Sequence, residues 1–199
     1  MDNQTKAILK YALILFVITA VSAALLASVN MLTEGKIAEN TVRAENDALR
    51  EVMSEAAEFE SVDGEEILSL GEEGIQAVYA AKNDAGETIG FCVKTAHSGY
   101  GGEIVSVIGV DRGGLVTGVS IISHSETPGL GANLTKDSFK EQFVGKGEVN
   151  VVKAGAKDGE INAISGATIS SKAMAGSVST AVRAAKALGA GDNAGGVSQ

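Results

Sequence analysis

Hydrophobic and polar positions change period three times along the chain. From Tyr11 to Leu32 the sequence YALILFVITAVSAALLASVNML carries no charge. Roughly 22 residues at about 1.5 Å each reach about 33 Å, matching a bilayer core of about 30 Å. The apolar character runs all round, unlike a helix with one face on a soluble core, so the run predicts a transmembrane helix. A cleaved signal peptide is the competing reading, with Ala24, Ala27 and Ser28 as its small-residue site. From Thr33 to Ala57, Ile37, Val42, Leu49, Val52 and Met53 are spread among many charges. That predicts a polar helical stalk capped by Thr33, its charges a solvated face.

From about Ile75 to Ser123 the period shortens. QAVYAAK, TIGFCVKT, EIVSVIGVD and LVTGVSIIS are β-rich runs separated by Asn83–Gly86, Gly99–Gly102 and Asp111–Gly114. Tight turns between consecutive strands predict an antiparallel sheet rather than βαβ units. Leu134–Val144 reads as a short helix, and Ser170–Leu188 as an Ala-rich one stopped by Gly189. The expected class is α+β: one N-terminal transmembrane helix, then an antiparallel-sheet domain with flanking helices. The expected partition is a cytoplasmic tail (1–10), the span (11–32), the stalk (33–57), the domain (58–188) and a flexible tail (189–199).

Charge narrows the function. The net charge of −9 argues against nucleic acid, which requires clustered Lys and Arg. Lys6, Lys10 and the terminal amine precede the span, so the positive-inside rule favours a cytoplasmic N-terminus and an outside domain; the bias is small, because basic residues also follow. One cysteine, Cys92, excludes an intrachain disulfide and a cysteine metal cluster, and it reads as core. His97 and His124 lack metal-ligand spacing and read as surface or loop residues. No P-loop or dinucleotide fingerprint occurs.

Three loops carry candidate chemistry. Ser165-Gly166-Ala167-Thr168-Ile169-Ser170-Ser171 precedes the last helix. A helix start offers unpaired N–H groups and partial positive charge to a phosphate, although Ser170 or Ser171 could equally be plain N-caps. Glu126-Thr127-Pro128-Gly129-Leu130-Gly131 follows a strand and contains the one proline. Pro-Gly fits a type II turn that presents Leu130 to a flat ligand, or an ordinary strand-to-helix connection. Gly99-Tyr100-Gly101-Gly102-Glu103-Ile104 offers Tyr100 for stacking, or is simply a hairpin loop.

Taken in chain order, Gly99–Ile104, then Glu126–Gly131, then Ser165–Ser171, the three motifs resemble the FMN-binding domain shared by the G subunit of Rnf-type electron-transport complexes and the C subunit of sodium-translocating NADH:quinone reductases. The resemblance covers about Gly71 to Leu188, and the short chain is more similar to the Rnf protein. It implies that a flavin transferase moves FMN from FAD onto Thr168, leaving a phosphoester. It further implies that Ser165, Gly166 and Ala167 surround the phosphate and that Glu126, Thr127, Gly129, Leu130 and Gly131 line the flavin; Ser170, Ser171 and Tyr100 complete the expected cofactor-binding set. The implied partners are the other membrane and peripheral subunits, the transferase and the lipid bilayer; the implied location is a cell membrane, with the FMN domain extracytoplasmic. The implied role is electron carriage in an ion-translocating, ferredoxin:NAD-linked oxidoreductase, with no catalysis by the isolated chain. The alternatives are the quinone-reductase C subunit and, in another class, a non-redox membrane-tethered binding module. One departure stands out: Asn162 occupies a position, three before Ser165, where the family pattern often has an acid.

Overall fold

A computed structural model describes residues 3–189. The expected flexible tail beyond Gly189 lies outside the described residues. The chain divides into two compact units, Met1–Arg43 and Ala44–Gln199. The first unit is the N-terminal part of a continuous helix, α1 (Asn3–Val52). From Ile8 onward its large apolar side chains are exposed all round, and the helix is long and apolar enough to cross a membrane. Thr33 is no cap, contrary to expectation. It lies inside the helix and its hydroxyl donates back to the carbonyls of Val29 and Asn30, at 2.9 and 3.2 Å. Nothing near it breaks the backbone ladder, so the span and the polar segment form one helix.

The second unit holds β1 (Glu58–Ser61), α2 (Gly64–Ser69), β2 (Ile75–Lys82), β3 (Thr88–Ser98), β4 (Glu103–Asp111) and β5 (Val116–Ser123). After these come two 3-10 turns flanking α3 (Asp137–Lys140), then β6 (Asn150–Val152), β7 (Glu160–Asn162) and α4 (Thr168–Ala187). Strands β1 to β5 form one antiparallel sheet in sequence order, as expected of strands joined by tight turns. The α+β class holds. The short elements β1, α2, β6 and β7 were not expected, because so few residues carry too little periodicity to register. Instead of one helix over Leu134–Val144 there is the broken set around α3.

Both faces of the sheet are covered, which explains the nearly continuous apolar run of β4. One face takes α4. Val78, Val93, Ile104 and Ile108 meet Met174, Val178 and Val182 there, all fully buried. The other face takes the last turns of α1: Ala48, Leu49, Val52 and Met53 pack with Ala81, Cys92 and Val107. Gly109 and Gly118 face each other in the β4–β5 register. A Cβ on Gly118 would lie 2.9 Å from the Val52 Cα, so these glycines let helix backbone rest on sheet backbone. Thr117 Oγ1 donates to the Val52 carbonyl at 2.6 Å, satisfying a helix-terminal acceptor.

The charges on these turns are therefore not merely a solvated face. Glu45 accepts from Lys94 at 2.5 Å and from the Tyr79 hydroxyl. Glu51 accepts from Ser120 at 2.6 Å and Lys140 at 2.9 Å. Helix α1 ends at Val52, five residues before the expected end of the stalk.

Candidate functional cleft

The turn after β5 forms as its residues require. Leu130 N–H donates to the Thr127 carbonyl at 3.1 Å, and Gly129 sits at φ 77°, the positive value that a type II turn places after proline. Asn133 braces the turn by donating to the Gly129 carbonyl at 2.9 Å. Leu130 folds toward the segment before α4: its Cδ2 would be 3.1 Å from a Cβ at Gly166. The glycine thus makes room for the leucine.

Helix α4 starts at Thr168, two residues earlier than expected. Neither candidate cap acts as one. Ala167 holds the N-cap position with no side-chain cap. The Ser171 hydroxyl is buried, accepts from the Ile164 N–H and donates to the Ala167 carbonyl, both at 2.9 Å, pinning the loop to the helix. The Ser170 hydroxyl is buried as well and donates to Glu126 at 2.5 Å. Thr168 is exposed, and its hydroxyl makes no hydrogen bond with the described residues. The first N–H groups of α4 are left without a side-chain acceptor.

Glu126 is 5% exposed. Besides the Ser170 bond it accepts from the N–H groups of Tyr100 and Gly101 at 2.8 and 3.0 Å. Its own N–H donates to His124 Nδ1 at 3.2 Å. Burial pushes its pKa up. The hydrogen bonds from Ser170, Gly101 and Tyr100, helped by the neighbouring His124, outweigh this and hold it below the ordinary value. A Cβ on Gly99 or Gly131 would overlap the carboxylate, so both glycines serve Glu126 directly.

These segments enclose a cleft of about 450 Å³, lined by Tyr100, Glu126, Thr127, Leu130, Gly131 and residues 166–170. That is within the roughly 300–1,000 Å³ of small-molecule sites. Of the residues expected at a site, Tyr100, Glu126, Thr127, Leu130, Gly131, Gly166, Ala167, Thr168 and Ser170 line it. Ser165, Ser171 and Gly129 do not: Ser165 is exposed outside the lining, Ser171 faces the core, and Gly129 forms the turn. Ile169, half exposed, lines the cleft without having been expected. Placing the start of the helix at Ser170 concealed its position in the first turn.

Other candidates fall elsewhere. Cys92 is fully buried and its thiol is pushed up to about 12 by burial, as a core residue should be. His97 is not a surface residue: its Nε2 is buried with no hydrogen-bond partner, and burial, then the nearby Arg183 charge, lower its pKa. His124 is in a loop but half-buried against Glu126. Asn162 Oδ1 accepts from the Ala156 N–H at 3.0 Å, a bond that a carboxylate would also make. No cluster able to hold a metal occurs among the described residues.

Residues 99–183 match the family model described as FMN-binding domain, and residues 1–52 match that of the RnfG N-terminal region. The chain is 40% identical over 191 residues to the G subunit of the Na⁺-translocating ferredoxin:NAD⁺ oxidoreductase complex of Acetobacterium woodii, covering 89% of this chain and 91% of that protein. The chain belongs to this G-subunit family. The G subunit of an ion-translocating oxidoreductase complex of Methanosarcina acetivorans is 34% identical over 183 residues, 90% of this chain and 95% of that one. The expected membership is thereby established, and with it an FMN-binding component of a membrane ion-translocating oxidoreductase. The C subunit of a Na⁺-translocating NADH-quinone reductase from Parabacteroides distasonis shares the fold, with a TM-score of 0.55, 22% identity and coverage of 76% of this chain and 92% of that one. At that identity the likeness speaks for fold alone.

Proposed function

We propose that the cleft holds FMN joined through its phosphate to the Thr168 hydroxyl, making the chain an electron carrier in a ferredoxin:NAD⁺-linked ion-translocating complex. The observation that carries this is selective. Of the four hydroxyls between Ser165 and Ser171, Thr168 alone both lines the cleft and is free of hydrogen bonds. Ser170 and Ser171 are already engaged, and Ser165 lies outside the lining.

The cleft suits FMN. The uncapped start of α4 offers N–H donors and the positive helix end to a phosphate, worth about 0.3–1 kcal/mol where exposed. Leu130, Ile169 and Tyr100 supply apolar surface for a ring. Bound FMN would supply one- and two-electron redox chemistry, which no side chain here provides.

Attachment requires an enzyme, since a threonine hydroxyl is a poor nucleophile. A flavin transferase would take the Thr168 proton on its own base. The threonine oxygen then bonds to the FMN phosphorus of FAD, the pyrophosphate bond breaks and AMP leaves. The phosphodiester formed retains one negative charge. Gly166 lines the same cleft without a side chain, leaving room for Leu130. The uncharged Asn162 holds its loop as an acid would, so the departure from the family pattern leaves the local structure intact.

The membrane arrangement belongs to the same reading. Residues 11–32 cross the bilayer with the N-terminus in the cytoplasm, following Lys6 and Lys10, and the FMN domain lies outside the cytoplasm; the other membrane and peripheral subunits of the complex are its partners. Protease added to cells with the outer barrier opened then digests the domain; digestion only in inverted vesicles reverses the orientation.

Attachment is tested by coexpressing the full chain with a flavin transferase. The wild-type band fluoresces under ultraviolet light after denaturing electrophoresis and its mass rises by one FMN less water. Thr168→Ala loses both signals and Ser170→Ala retains them. The opposite pattern assigns the wrong hydroxyl, and a dark wild-type band favours a non-redox module.

A further inference from the structure

Among the described residues Glu126 is the one buried acidic side chain; no Lys or Arg pairs with it, and His124 is the one titratable neighbour that favours its charged form. An unpaired buried carboxylate persists only where hydrogen bonds replace its water. Here those bonds come from two chain segments remote in sequence, and both help build the cleft. Oε1 takes the N–H groups of Tyr100 and Gly101 in the β3–β4 loop. Oε2 takes Ser170 in the first turn of α4. Glu126 itself leads into the Thr127–Leu130 turn, the third wall. Gly99 and Gly131 flank the carboxylate without side chains, which gives it the space to reach both partners.

We propose that Glu126 is a positioning residue that fastens the three walls of the cleft together and places a fixed negative charge at its floor, lowering the reduction potential of the flavin held there. The first effect is geometric. Losing the carboxylate frees the 99–102 loop and the α4 start at once, because no other side chain among the described residues hydrogen-bonds to both. The second is electrostatic. Reduction adds negative charge to the ligand, and a nearby carboxylate in a poorly solvated floor opposes it. The proposal rests on FMN occupying this cleft, and only its electrostatic half requires it.

Two measurements on the full chain in detergent test it. Hydrogen exchange is measured on unloaded protein in the Thr168→Ala background. Adding Glu126→Ala is expected to raise exchange at Tyr100, Gly101 and the first turn of α4 together with the 127–131 turn, while the β2–β3 core stays protected. Loosening confined to the 127–131 turn overturns the positioning role. Redox titration is measured on flavin-loaded wild type, Glu126→Gln and Glu126→Asp at fixed pH. Gln preserves the shape and removes the charge, and is expected to raise the reduced-to-oxidised ratio at a fixed potential about tenfold, or about 30 mV for a two-electron couple. Asp retains the charge and is expected to keep the wild-type potential more closely than Gln, which a purely structural role would not produce. An unchanged potential in Glu126→Gln, or equal shifts in Gln and Asp, overturns the electrostatic role. Should no flavin attach to the wild type, the proposed function fails while hydrogen exchange still decides the positioning role.

Discussion

The two faces of the sheet are covered by helices that achieve the contact differently. Helix α4 brings an almost purely apolar and small-residue surface, with Met174, Val178 and Val182 against Val78, Val93, Ile104 and Ile108. The end of α1 brings few apolar groups and closes the gap by proximity. Val52 rests on Gly118, and Glu45 and Glu51 pair with the sheet and with α3. The α4 face is held mainly by the hydrophobic effect, which needs area. The α1 face relies on close backbone approach and on hydrogen-bonded charge, which need geometry and ionisation. Conditions that change charge should therefore loosen one face before the other.

The largest expected effect is on the α4 side. Met174→Ala empties a fully buried position and should cost about 2–5 kcal/mol, read from denaturant unfolding of the domain. A cost below that of the α1-side changes below would remove the contrast. Next is Gly118→Ala, whose methyl must displace helix backbone. It should cost about 1–3 kcal/mol, and hydrogen exchange should rise in residues 48–53 more than in α4.

Smaller again is Glu45→Gln. Its half-buried pair with Lys94 should contribute toward the top of the roughly 0.2–1 kcal/mol of exposed pairs, and about 1 M salt should reduce the difference from wild type. The smallest expected effect is the response to acid. For Glu45 burial raises the pKa, but the bonds from Lys94 and Tyr79 outweigh it and the net shift is downward. For Glu51 the bonds from Ser120 and Lys140 do the same against burial. A depressed carboxyl stabilises the fold fully above its unfolded value and loses that contribution as pH falls through the folded one. Between neutral pH and about 5 these contributions should stay constant, and below the ordinary 4.5 they should fade, loosening residues 44–53 ahead of α4 in exchange experiments. Equal loosening of both helices would show that charge does not distinguish the faces.

Local chemistry made much of this molecule legible in its sequence. The uncharged run from Tyr11 to Leu32, the four main strands with their tight turns, and the Pro128-Gly129 turn each depend on neighbours a few residues apart. Backbone sterics and side-chain periodicity act at that range, so these features are visible without a fold. Nine of the twelve expected site residues line one cleft for a related reason: each lies at a turn or a helix start, where backbone groups are open.

Tertiary structure alone decided the rest. Glu45 and Glu51 look like solvated charges on a stalk until the sheet supplies Lys94 and Ser120, 49 and 69 positions away. That Glu126 also ties the cleft walls together emerges only when its partners, Tyr100 and Ser170, arrive from 26 and 44 positions away. Ser165, Thr168, Ser170 and Ser171 are chemically alike as letters. Which hydroxyl is spent on the protein and which stays free follows from what packs against each, and that is settled by long-range contact rather than local preference. Composition sets what a residue is able to do; the fold decides which of its possible partners lies within about 3 Å.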